Sequence, residues 1–265
     1  MADFTRTLRE ISGLLRDFLA AEEYASRKGF LQSVNQKAKL TGILLLIALA
    51  ISTQNPFYLF FLLLFSLSVV ILSKIPLRAY LPRFGFIPLF AFIIVIPWLF
   101  LTEGEPAFSL LGVEITKEGI MYVLTFGLRV TACVAAISLL LFTTRVSDLL
   151  YTLRSLKVPE MFVEILGITY RYLFSLLSEL QKMLLGKESR VVSAKGNSWR
   201  TSAKIVANFM LRTLSKGEKV HKAMLARGYS GKFKTYPRNQ GWNANSSAFV
   251  AIVAAMVVLW LLTRL

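Results

Sequence analysis

The chain has 265 residues, of which 55% are hydrophobic and only 17% charged, with a formal net charge of +16. That balance excludes an ordinary soluble domain and indicates a membrane protein. A soluble protein this basic would suggest nucleic acid as a partner, but in a membrane protein Lys and Arg collect on the cytoplasmic side. The single cysteine, Cys133, lies in an apolar run, which rules out an intramolecular disulfide and reads as a small buried residue.

In chain order, residues 1–38 do not read as a signal peptide. Asp3, Glu10, Asp17, Glu22 and Glu23 are scattered through them, and no apolar core precedes a small-residue cleavage site. Phe4, Leu8, Ile11, Leu15 and Phe18 instead keep a helical period, with Arg6, Arg9 and Arg16 off the stripe. The pattern predicts an amphipathic helix lying on the membrane surface or packed on a partner. Residues 40–72 are almost uncharged and too long for one span of roughly 20 residues. Gln54-Asn55-Pro56 divides them, predicting helices at about 38–54 and 57–73. Lys74, Arg78 and Arg83 form a short basic loop before a third span at 84–101, which contains Pro88 and Pro97. Residues 102–118 are acidic. A fourth span follows at 119–142 and a fifth at 246–262.

The loop charges set the orientation. Residues 143–244 hold 18 Lys/Arg and 6 Asp/Glu, so this one region supplies +12 of the +16. It shares a side with the basic loops at 1–39 and 74–83, opposite the acidic loop. The positive-inside rule places the N-terminus in the cytoplasm and the C-terminus outside. The expected organisation is an amphipathic cytoplasmic segment at 1–38, four transmembrane helices within 39–142, a cytoplasmic domain at 143–244 and a last transmembrane helix at 245–265. The fold class is all-α and polytopic.

Two short marks stand out in the basic region: Ala194-Lys195-Gly196 and Ala226-Arg227-Gly228. Each follows a helical period. Phe162, Ile165, Thr169, Leu173, Leu176, Leu180 and Leu184 share one face ahead of the first. Val206, Met210, Thr213, Gly217, Val220 and Met224 do so ahead of the second. Gly at the end of such a run is the usual left-handed cap, and a cation in the last turn complements the helix dipole. One copy reads as an ordinary cap. Two copies flanked by membrane segments suggest a repeated device.

Little else in the chain suggests chemistry. There is no Gly-x-x-x-x-Gly-Lys-Ser/Thr phosphate loop, so ATP hydrolysis is not expected of this chain. His221 is the only histidine, no His/Cys/carboxylate cluster has metal-ligand spacing, and the spans carry no carboxylate pair. Arg129 is an ionisable residue within a span and so a functional candidate, with snorkelling or a bond to a carbonyl as its structural alternative. The chain reads as non-catalytic and without a cofactor of its own.

These marks carry a resemblance. The chain resembles the transmembrane T component of an energy-coupling factor (ECF) transporter, and most of all the cobalt-type branch. The similarity runs from about Ser33 to Tyr229, and the two Ala-Arg-Gly-like signatures are its most specific part. Val146-Ser147-Asp148-Leu149-Leu150, Leu156-Lys157-Val158-Pro159 and Tyr170-Arg171-Tyr172-Leu173-Phe174 also read like the family. Asn35-Gln36-Lys37-Ala38-Lys39-Leu40 resembles its Asp-Pro-Arg-x-Lys-Leu, departing at Asn35, Gln36 and Lys37. The first signature departs too, with Lys195 in place of the usual Arg.

The resemblance implies a scaffold in a prokaryotic cytoplasmic membrane. Its long crossing cytoplasmic helices would dock by their ends, at Ala194, Lys195, Gly196 and Ala226, Arg227, Gly228, into two ABC ATPase subunits. These partners would bind the ATP, and the scaffold would move a substrate-binding membrane S component. Cobalt or nickel is the implied cargo; a vitamin or other micronutrient is the alternative. A membrane-anchored regulator whose basic loop binds anionic lipid or nucleic acid is a further reading, disfavoured by that loop's apolar periodicity.

Overall fold

A computed structural model describes Gly13 and residues 24–27, 29–102, 106–110, 113–188, 198–231 and 241–264. The expected amphipathic helix of the N-terminal segment, apart from those few positions, lies outside the described residues. So does the whole first signature, Ala194-Lys195-Gly196. The chain divides into two compact units: Ala21–Leu149 with Arg238–Leu265, and Met1–Ala20 with Leu150–Pro237.

The first of these is a helical bundle. Helix α1 (Gln36–Ser52) starts at Asn35, whose side chain accepts from the Lys37 amide at 3.0 Å. Helix α2 (Pro56–Leu72) starts in the same way at Asn55, which accepts from Phe57 at 3.0 Å, with Pro56 in the first turn. An Asn cap followed by a first-turn Pro makes the expected break at residues 54–56 a true helix boundary.

Helix α3 (Leu77–Val95) and the short α4 (Trp98–Leu101) replace the single span expected at 84–101. Extended Pro76 sets the start, so Arg78 and Arg83, read from sequence as loop residues, belong to the helix. The interruption falls at Ile96-Pro97, because Pro97 has no amide to continue the ladder. Within the acidic stretch, residues 106–110 and 113–116 form strands rather than a loop. Strands β1 (Pro106–Leu110) and β2 (Val113–Thr116) pair antiparallel from Pro106↔Thr116 to Leu110↔Val113, with an irregularity between Pro106 and Phe108.

Helix α5 (Lys117–Thr143) is the centre of the bundle, in contact with α1, α2, α3 and α4. Its 27 residues span roughly 40 Å. Thr116 caps it by accepting from the Gly119 amide at 3.2 Å. Helix α9 (Ala244–Arg264) packs on α1, where Gly42 leaves room for Phe249. A Cβ at residue 42 would stand 2.6 Å from the Phe249 ring. Two buried tyrosines tie helices together by donating to main-chain oxygens: Tyr58 to Met256 at 3.1 Å and Tyr80 to Ala135 at 2.9 Å. Away from water each hydroxyl needs such a partner. Leu31, Ile43, Val70, Leu139 and Phe142 lie in the apolar core with Tyr80, and Leu59, Leu62 and Ala132 in a second cluster with Tyr58.

The fold is thus all-α and polytopic, with one short hairpin. Among the described residues three helices are long and apolar enough to cross a membrane: α5, α9 and, in the other unit, α7 (Glu160–Glu188). Helix α2 and residues 86–101 are shorter apolar helices.

The second unit holds the end of α6 (Val146–Ser155), then α7 and α8 (Ser198–Ala226). Arg212 donates to Glu179 at 2.8 Å and Lys216 to Ser175 at 2.6 Å. Numbering climbs on α7 as it falls on α8, so the two long helices run antiparallel.

Candidate functional site

The second signature sits at the end of α8. Ala226 is the last helical residue, Arg227 caps it, and Gly228 follows with φ +76°. The Tyr229 amide donates to Met224 O at 3.0 Å and the Gly228 amide to Leu225 O at 2.9 Å. Those two bonds are the Schellman pattern, which closes a helix on a left-handed residue. The conformation expected of Gly228 is therefore present. No atom lies within 4 Å of where its Cβ would be, so the glycine is required by the backbone rather than by crowding. Ala226, Arg227 and Gly228 are all exposed.

A cleft of about 480 Å³ opens beside this tip. Arg154, Glu160, Glu164, Arg171, Arg227 and Tyr229 are among the residues lining it. Arg154 pairs with Glu160. The Arg171 guanidinium stacks over the Tyr172 ring, 5.3 Å from its centre. The Tyr229 hydroxyl donates to Glu164 at 3.1 Å. Partial desolvation, then that bond and the charge of Glu164, push the Tyr229 phenol above its ordinary range, so it remains a donor at neutral pH. The cleft is open and combines a mainly apolar lining, with Leu150, Val163, Ile168 and Met224, with charges of both signs. Among the described residues no group of three or more His, Cys, Asp or Glu is placed to hold a metal ion.

Arg129, the candidate within the membrane segments, donates from Nη2 to Thr53 O at 2.8 Å. Thr53 follows the last turn of α1, so the guanidinium meets the negative end of that helix. Of the two structural alternatives read from sequence, snorkelling and a bond to a carbonyl, the geometry displays the second.

Two arrangements were not legible beforehand. One is the link from Tyr229 to Glu164, sixty-five positions away in sequence. The other is Lys39, fully buried, whose ammonium donates to Thr143 O at 2.9 Å, at the last residue of α5. Asp148 lies close enough to act on its charge. A lysine in the first turn of an apolar helix was the available signal for it.

Residues 27–237 match the model of the cobalt transport protein family CbiQ. An uncharacterized protein of Methanocaldococcus jannaschii is 33% identical over 245 residues, covering 89% of this chain and 84% of its own. The cobalt transport protein CbiQ of Rhodobacter capsulatus is 27% identical over 167 residues, 61% of this chain and 64% of that one. The energy-coupling factor transporter transmembrane protein EcfT of Bacillus selenitireducens is 22% identical over 250 residues, 89% and 93% of the two chains. This chain belongs to the CbiQ cobalt transport protein family, as a multi-pass transmembrane T component of the ECF type, a transporter subunit of the cell membrane.

Proposed function

We propose that this chain is the non-catalytic energy-coupling scaffold of an ECF importer for cobalt or nickel. Its long helices dock by their ends on two cytoplasmic ATPases and pass their movement to a substrate-binding membrane subunit. The observation that carries the reading is the end of α8, a closed left-handed cap that leaves Arg227 exposed. A guanidinium is a planar fork that can engage a carboxylate or several carbonyls in a groove. ATP is assigned to the partners, since the sequence holds no phosphate loop. The metal is cargo; the likeness to a named cobalt transporter supports the choice.

Placing 143–244 in the cytoplasm requires α7 to lie outside the bilayer despite its apolar composition. Its charges support that. Glu164, Arg171 and Glu179 are spread along it, and Glu179 is bonded to Arg212 of α8, which also carries Lys204, Lys216, Lys219 and Lys222. Burying such a set in hydrocarbon is expensive. On this reading the apolar face of α7 is covered by protein.

Topology and assembly test the proposal together. In a Cys133→Ser background, Ser109→Cys should react with an impermeant thiol reagent from outside, and Ser198→Cys only after the membrane is opened. The chain should co-purify with two ATPase subunits. Inverted labelling would defeat the cytoplasmic assignment and, with it, ATPase docking.

A further inference from the structure

The cleft beside Arg227 holds two side-chain links that converge on one short stretch of α7. Glu160 and Glu164 are four residues apart, hence on one helix face. Glu160 is paired with Arg154 of α6. Glu164 receives the hydroxyl of Tyr229, the residue that closes the α8 cap with its own amide. Tyr229 therefore does two things with one residue. Its main chain ends α8, and its side chain fastens that end to α7.

Helix ends fray unless something holds them, and a glycine just before Tyr229 adds freedom there. The position of Arg227, two residues earlier, depends on that end being held. We infer that Tyr229 and Glu164 are positioning residues: their link fixes the aim of Arg227 and delivers the displacement of the α8 tip to α7. The Glu160–Arg154 pair then carries it on to α6. Glu160 and Glu164 form a coupling node with one carboxylate for each neighbouring helix. This rests on the docking role of Arg227 proposed above.

The test uses the full chain in detergent and its complex with the ATPase subunits. Tyr229→Phe removes one oxygen and leaves the ring. It should speed backbone hydrogen exchange in residues 224–229 and weaken ATPase binding about tenfold, the lower end of the scale of one hydrogen bond to a charged group. Glu164→Leu should do the same. Glu164→Gln keeps an acceptor oxygen and should stay within about twofold of the parent. The double variant Tyr229→Phe/Glu164→Leu should be no weaker than either single variant, because both remove one interaction.

Additive losses, or unchanged exchange in Tyr229→Phe, would overturn the link. So would full ATPase binding by Tyr229→Phe where Arg227→Ala binds weakly. If instead Arg227→Ala binds ATPase normally, the docking role falls and the transmission inference falls with it. The exchange measurement on the chain alone still decides whether Tyr229 holds the tip.

Discussion

Helices α5 and α7 are close in length, 27 and 29 residues, and both are apolar enough to cross a membrane. Yet 39% of the most apolar stretch of α5 is buried within the chain, against 6% for α7. Helix α5 is enclosed by four helices of its own bundle. Helix α7 leaves Met161, Phe162, Ile165 and Leu166 exposed. Two apolar helices thus end differently: α5 buries much of its apolar surface in its own chain, and α7, the less hydrophobic of the two, keeps its apolar residues exposed. Exposed apolar patches of this kind mark interaction sites.

The sharpest way to break that contrast is to truncate one leucine and one phenylalanine. Leu59 in α2 is fully buried, and Leu59→Ala should lower stability by about 2–5 kcal/mol, read as a fall in Tm in detergent. Phe162 is 61% exposed, and Phe162→Ala should change Tm by less than ~0.5 kcal/mol equivalent while weakening assembly with the membrane partner. Equal losses of Tm would mean that α7 is covered by its own chain.

Arg227→Ala should come next, at about 2 kcal/mol of docking energy, or roughly thirtyfold in ATPase affinity. Uptake in reconstituted vesicles should nearly vanish. Lys195→Ala should only reduce it, because a flexible ammonium replaces a planar fork. Greater damage from Lys195→Ala would make the first tip the dominant one.

Gly228→Val puts a β-branched residue at φ +76°, at a cost of about 1–2 kcal/mol. The variant should insert normally and lose most of its binding to the ATPases in a pull-down. Intact binding would show that the tip tolerates a different ending.

The smallest effect is stabilising. Lys157, at φ 62°, closes α6 with a Schellman pair from Lys157 to Arg154 O and Val158 to Leu153 O. Lys157→Gly relieves the left-handed strain and gives back some of that gain in chain entropy, for a net of about 0.5 kcal/mol. A small rise in Tm checks it.

Local chemistry made part of this legible in sequence. Asn55-Pro56 marks a boundary because both residues act on their own first turn, and Gly228 marks a cap because its requirement is its own φ. The start of α3 was hidden because Arg78 and Arg83 read as a loop when their helix begins at Leu77, just after Pro76. The hairpin at 106–116 was hidden too, its strands being only five and four residues long. The Tyr229–Glu164 and Lys39–Thr143 links were illegible for a different reason. Each joins residues far apart in sequence, and no local period or cap encodes such a meeting.

The start of α1 bears on how the protein is made. The Asn35 amide donates to Ser246 Oγ at 2.9 Å, and Asn245 donates to Ser33 Oγ at 2.7 Å, so the residues leading into α1 are fastened to the first turn of α9. At 5–20 residues per second, those partners emerge from the ribosome roughly 10–40 s apart. Gly42 meanwhile faces the empty place of Phe249. For that interval the growing chain carries an unclosed bundle in the membrane, and the insertion machinery or lipid must shield it until the last helix arrives.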